Sequence, residues 1–269
     1  MYARLRSLVP ALAVAALVLY ALSATAQAQS TEPVGERFVI EGAAGFWNPS
    51  AKMSIRSEAL GIIGSVIDFK TDLGLTDQRF KELHAVLKAG RKHKFRFQYI
   101  PLNYEQSATM TRDIIFNGQR YRVGLPVESS LSWNAYRFGY EFDFLVKNWG
   151  FAGLLIETKY TDIRAELNTL FVREFVRVAA PIPAIGGIGR YYIIPNISIT
   201  GELSGIQIPD VSKEYDGHFA DLDIYGTFNF TRNIGAQIGY RLFDVGLLLN
   251  DDSGTFVVKG IYFGVVARY

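Results

Sequence analysis

From residue 218 to the end, the chain alternates apolar and polar positions with a period of two. Leu222, Ile224, Gly226, Phe228 and Phe230 stand between Asp221, Asp223, Tyr225, Thr227 and Asn229. After the short turn Thr231-Arg232-Asn233, Ile234, Ala236, Ile238, Tyr240 and Leu242 alternate with Gly235, Gln237, Gly239, Arg241 and Phe243. The final stretch sets Ile261, Phe263, Val265, Ala267 and Tyr269 against Gly260, Tyr262, Gly264, Val266 and Arg268. Successive side chains of a strand point to opposite faces, so each stretch predicts a strand with one apolar face. Upstream, Phe138, Tyr140, Phe142 and Phe144 alternate with Arg137, Gly139, Glu141 and Asp143, and Phe95, Phe97 and Tyr99 alternate with Arg96 and Gln98.

Extended along the chain, the pattern predicts ten strands: 37–47, 78–88, 94–105, 127–145, 151–163, 178–194, 196–208, 218–230, 234–248 and 255–269. The connections between them are alternately long and short. Short ones fall at 89–93, 146–150, 195 and 231–233, and long ones at 48–77, 106–126, 164–177, 209–217 and 249–254. An antiparallel up-and-down barrel with both chain ends on one side gives this rhythm. Eight or twelve strands also fit the length, at about 9–11 residues per spanning strand. Within 106–126, Asn117-Gly118 predicts a hairpin turn projecting from the long-loop end.

Alternation does not say which face is inside. A soluble barrel puts its apolar residues in the core, and a transmembrane one turns them to lipid. The loop asymmetry, the terminal aromatic, and the glycines and mixed charges opposite the apolar comb favour lipid outside. The inward set is then Glu41, Glu82, His84, Arg96, Arg137, Glu141, Asp143, Glu157, Lys159, Arg190, Glu202, Asp221, Asp223, Arg241 and Arg268. Acids and bases are nearly matched in it, so cross-strand pairs can neutralise one another. Ten strands lie near the size at which side chains fill the interior, which predicts a plugged, salt-bridged lumen ahead of an open pore.

The N-terminus adds an export signal. Arg4 and Arg6 precede the apolar run Leu8–Leu22, and Ala26-Gln27-Ala28 is a small-x-small cleavage site, so residues 1–28 read as a cleaved signal peptide. The run is broken by Pro10 and falls short of a spanning helix. Residues 29–36 form a short periplasmic segment, and 37–269 a single barrel domain. Of 28 lysines and arginines the signal removes two, leaving bases equal to the 26 acids. That balance offers no basic stripe for nucleic acid. With no cysteine, disulfides and thiolate chemistry are excluded.

Candidate chemistry is sparse. Asp216-Gly217-His218, placed in the fourth long loop above Asp221 and Asp223, is similar to part of the omptin protease site, where an acid and a histidine activate water. The acidic pair such a site also needs is represented only by Asp68 and Asp72, at the wrong spacing, and Asp-Gly is ordinary turn composition. A lipid A deacylase needs serine beside histidine, and none of His84, His93 and His218 has a serine two residues away. Three scattered histidines make no metal set. Gly186-Gly187-Ile188-Gly189 has no following Lys-Ser/Thr or helix, so it is no phosphate loop. No catalytic, cofactor or metal residues are assigned, and no cofactor is expected.

Taken together, the signal peptide, the meander and the terminal strand resemble the small Gram-negative outer-membrane β-barrels, the broad group of outer-membrane protein A-like and porin-like barrels. The comb Ile261, Phe263, Val265 and Tyr269 is similar to the C-terminal signal by which such barrels are recognised for insertion. The resemblance implies a place in the cell outer membrane, contact with its lipid and lipopolysaccharide, and handling by the barrel-assembly machinery. A monomer is expected, with any surface ligand unspecified. The chain stops with the barrel, so the peptidoglycan-binding domain of some relatives is not expected. Members include structural anchors, adhesins and weak channels. The expected function is therefore non-enzymatic, in envelope structure or surface interaction, with a narrow channel as the alternative and a rim hydrolase as a second one.

Overall fold

The computed structural model describes residues 33–57, 62–169, 173–212, 215–249 and 252–269. The signal peptide expected at 1–28 lies outside them. Ten long strands form the wall: β1 (Ile40–Arg56), β3 (Phe80–Lys88), β4 (His93–Thr109), β7 (Pro126–Lys147), β8 (Gly150–Asn168), β9 (Arg173–Ile194), β10 (Ile197–Ser212), β11 (Tyr215–Asn229), β12 (Ile234–Leu249) and β13 (Asp252–Arg268). Each pairs antiparallel with its neighbours in chain order, and β13 pairs with β1 to close the ring. Closure removes the open edges that a sheet in lipid could not satisfy. The first and last strands match over their full length, from Glu41↔Arg268 to Arg56↔Ser253. Beyond β13, the amides of Val39 and Ile40 both donate to the Tyr269 carbonyl, at 2.6 and 3.0 Å. The fold is thus the all-β, ten-stranded antiparallel barrel that the alternation predicts.

The short connections fall where the sequence places them, and both described chain ends lie at this turn end. The other end differs. Strands there run well past their predicted limits: β1 reaches Arg56 instead of ending at 47, and β8 reaches Asn168 instead of 163. Residues 209–212 and 215–217, expected as loop, are strand. Two long connections remain. Residues 57–79 include β2 (Ile67–Asp68), which adds to β1, and residues 110–125 include the hairpin β5 (Ile114–Phe116) and β6 (Gln119–Tyr121). Its turn is at Asn117-Gly118, with φ of 48° and 76°, as two-residue hairpins require.

The wall has two zones. Toward the turn end its outer face is apolar. Ile156, Ile185, Ile238 and Val265 are all more than 60% exposed, while Glu141, Glu157 and Asp221 on the inner face are almost fully enclosed. On β8 the apolar band runs from Ala152 to Tyr160, about 20 Å of tilted strand, close to the height of a lipid-facing band. Tyr99, Tyr136 and Tyr160 stand together at its upper edge, ring centroids 4.7 and 6.3 Å apart. Above them the outer face is polar: Ser132 donates to Asn103 at 2.8 Å, and Arg177 grips Asp162 through two bonds of 2.9 Å.

Inside, the pattern changes at the same level. Trp47, Met53, Ile100, Leu102, Trp133, Ile163, Phe243, Val245, Phe256 and Val258 form one buried apolar core in the upper half. A wall bathed in water on its outside can bury apolar side chains within, as any soluble barrel does. A wall in lipid must put its polar residues within. The two rules apply at two heights of one barrel.

Candidate functional site in the barrel lumen

Strand alternation sends every second residue of the lower half inward, and the inward residues are charged. Lys94 Nζ lies 2.6 Å from Glu141 Oε1 and 2.8 Å from Asp143 Oδ2. Arg96 Nη1 donates to Glu141 at 2.5 Å, and its Nη2 reaches Glu202. Arg137 donates from Nε to Glu157 at 2.5 Å and from Nη2 to Glu202 at 3.1 Å. Lys159 pairs with Asp221 and donates to Ser204 Oγ at 2.9 Å. Arg241 pairs with Glu82 and with Asp223, the latter at 2.5 Å, and Arg268 donates to Glu41 at 2.5 Å. All of these groups are buried.

Tyrosine hydroxyls fill two further acceptor sites. Tyr225 donates to Glu202 at 3.0 Å and Tyr262 to Asp223 at 2.8 Å. The guanidinium of Arg241 also lies 4.7 Å from the Tyr262 ring centroid and 5.9 Å from that of Phe243, where the charged layer meets the apolar one. His84 lines a cavity of about 20 Å³ with Arg96, Arg137, Glu202 and Arg241, room for about one water. A second cavity of about 20 Å³ lies between Lys159, Asp221, Trp133 and Phe243. Neither runs the length of the barrel.

Both mouths are filled. At the turn end, residues 33–39 fold into the opening. Glu36 accepts from Arg190 Nη1 at 2.9 Å and from the Tyr192 hydroxyl at 2.5 Å, and Val34 is held by bonds of 2.7 Å to Pro195 and from Asn229. Burial works against the ionised Glu36 carboxylate, but Arg190, Lys94 and the Tyr192 hydroxyl hold it below the usual carboxylate range. At the other end, Phe69, Leu73, Ile114 and Phe116 pack on the apolar core. The hairpin expected to project is folded across the mouth, because its apolar side chains gain more by burial than by standing in water. The Arg112 hydrogen bonds hold the Asp72 carboxyl below its ordinary range, and Arg112 also donates to the Val66 carbonyl at 2.6 Å, tying the two long connections together.

Of the fifteen inward residues read from the sequence, Glu41 through Arg268, fourteen are buried and His84 is half-buried beside the first cavity. Two contributors escaped that set. Lys94 heads the predicted strand 94–105 but is missing from the inward set, although its place two residues before Arg96 is the signal that finds it. Glu36 lies in a segment without periodicity and gives no such signal. The comb Ile261, Phe263 and Val265 is exposed on the outer face, with Tyr269 beyond it.

The protease-like triplet is placed differently from expectation. Asp216 to His218 belong to β11, not to a loop, and His218 points outward, 3.2 Å from Asp244. The side chain of Asp216 lies outside the described residues. Asp68 and Asp72 are spent on a tight turn, where Asp68 Oδ1 accepts from the amides of Lys70 and Thr71 at 2.9 Å. Among the described residues, no group of histidines and acids is arranged to hold a metal.

No protein-family model and no curated protein sequence matches the chain. Solved structures do resemble it. The outer membrane protease OmpT from Escherichia coli superposes with a TM-score of 0.59 at 8% identity, over 89% of this chain and 99% of that one. The translocator domain of the autotransporter NalP from Neisseria meningitidis gives 0.42 at 9% identity, over 98% of each. The attachment invasion locus protein Ail of Yersinia pestis gives 0.35 at 10%, over 86% and 97%. At such identity the first likeness is one of fold, and the chain has the fold of an outer-membrane β-barrel.

Proposed function

We propose that this chain is a non-enzymatic outer-membrane barrel, exported by a cleaved signal at 1–28, that serves in envelope structure or in surface interaction through its loop end. It belongs on this reading with the small outer-membrane protein A-like and porin-like barrels. It stands in lipid and lipopolysaccharide, is inserted by the barrel-assembly machinery through its Ile261–Tyr269 comb, and acts as a monomer. The observation that carries the reading is the filled lumen: ion pairs occupy the lower half and an apolar core the upper half. An ion crossing such a barrel would have to displace paired charges and then enter an apolar layer, which is costly.

The test is conductance of the purified protein in planar bilayers, paired with unfolding of Arg241→Ala. The expected result is no steady conductance from the wild type. The substitution strands Glu82 and Asp223, and loss of one partner of a buried pair costs about 3–5 kcal/mol, so the variant unfolds at lower denaturant. Stable ion-sized steps from the wild type, with selectivity changed and stability kept in the variant, would establish the narrow-channel alternative.

A further inference from the structure

On the outer wall, the strands β13, β1 and β3 carry a group of cations at the top of the apolar band. Lys81 stands beside Phe46 in register, Phe46 stands beside Phe263, and Lys259 stands beside Ser50 two repeats of the pleat higher. Arg79 lies over the rings of Phe46 and Phe263, 5.9 and 5.8 Å from their centroids, and donates to Asn48 at 2.7 Å. All three cations are exposed, and none meets a carboxylate among the described residues. Elsewhere just above the band stand Asn134, Asp162, Gln207 and Asp244, none of them a base. Arg177, by contrast, is partnered by Asp162.

Directly below, the wall is hollowed. Gly42 and Ala44 of β1 and Ala85 of β3 point outward together, and a Cβ at Gly42 would meet nothing within 4 Å. Leu83 and Leu87 rise on one side of this trough and Phe263 and Val265 on the other, all exposed. An acyl chain fits a trough of small residues between larger apolar ones, and a phosphate above it fits three unpaired cations.

We infer that this seam binds one phosphorylated, acylated glycolipid of the outer leaflet, lipopolysaccharide, with phosphate on Arg79, Lys81 and Lys259 and an acyl chain along Gly42, Ala44 and Ala85. The inference rests on the proposed orientation, with the loop end outside the cell. A phospholipid shares the phosphate and the chains. The commitment to the glycolipid follows from the height of the cations, at the outer-leaflet interface on that orientation.

The chain refolded in detergent is mixed with purified lipopolysaccharide, with the same material after enzymatic dephosphorylation, or with phosphatidylglycerol, and adducts are counted by native mass spectrometry. Wild type should hold one lipopolysaccharide, and its dephosphorylated form more weakly. The triple variant Arg79→Gln/Lys81→Gln/Lys259→Gln should bind about 100-fold more weakly, at about fivefold per basic residue near an anionic lipid surface. Gly42→Leu, which fills the trough and leaves the charges, should weaken binding as well. Undiminished binding by the triple variant, or equal retention of phosphatidylglycerol, would overturn the proposal. Heat-modifiable gel migration of the same wild-type sample reports the barrel reading separately, so its loss would sink that reading and not be mistaken for a vacant site.

Discussion

Glu36 shows how one residue outside the strands closes an end of the barrel. Its carboxylate is the shared acceptor of Arg190 and Tyr192, and its backbone carbonyl accepts from Lys88 Nζ at 2.7 Å. Its pKa lies below the ordinary value, so its contribution to docking the segment is fully present above about pH 4.3, the ordinary glutamate value. That contribution is lost as the pH falls through the depressed value, when the folded carboxylate takes up its proton. Hydrogen exchange at the amides of Val34 and Ile40 should therefore be slow and level from pH 7 to about pH 4.5, once corrected for intrinsic rates. Below that range protection of Val34 should fall while that of Ile40, held by the Tyr269 carbonyl, persists. Glu36→Gln should expose Val34 at neutral pH already. Equal protection in variant and wild type would remove Glu36 from this role.

The β5–β6 hairpin is the element whose sequence and structure part company. Asn117-Gly118 specifies the turn, and the local pattern stops there. Whether Ile114 and Phe116 face water or a core depends on what lies across the mouth, and only the packed barrel supplies Phe69 and Leu73 beside them. Removing a buried phenylalanine costs about 3–5 kcal/mol. Phe116→Ala should accordingly free the hairpin without unfolding the wall. Trypsin should then cut at Arg120 or Arg122 many times faster than in wild type, with heat-modifiable migration unchanged. Resistance equal to wild type would mean that the hairpin is held by other contacts, such as Asn117 donating to Glu174 at 2.8 Å.

At the scale of the whole molecule the arrangement predicts both topology and assembly. An epitope inserted at Gly124, which is exposed with φ +82° and open space around it, should label on intact cells. One at Arg232, in the turn between β11 and β12, should label only after permeabilisation. Phe263→Asp puts a charge on the lipid-facing band, at a cost of up to about 2–4 kcal/mol depending on depth, and should lower the yield of heat-modifiable barrel. Labelling at Arg232 on intact cells would invert the molecule, and recovery of the wild type as a soluble periplasmic protein would reject the membrane reading.

The number of wall strands, their antiparallel order, the positions of the short turns and the charged face of the lower wall, Lys94 and Glu36 excepted, were legible in the period-two alternation. That pattern is local, because a strand in lipid must separate apolar from polar residues at every step. The upper reach of several strands, β1 and β8 above all, was not legible. Beyond Trp47, Tyr99 and Tyr160 the surroundings change from lipid to water, so Met53, Leu102 and Ile163 turn inward where Glu41, Arg96 and Glu157 do so below. The tall strands thus reverse the polarity of their two faces partway along, and on β1 and β8 a search for one unbroken phase ends near the reversal and reads the rest as loop, whereas β7 and β12 are predicted almost to their ends. Pair partners were equally hidden. Arg96 and Glu202 are 106 residues apart, and only closure of β13 on β1 sets the curvature that brings them together across the lumen. The sequence by itself determined which residues face inward in the lipid zone, because the solvent there imposes it residue by residue. The tertiary structure alone decided which charges meet, and that both mouths are closed, because those contacts exist only once the ring has formed.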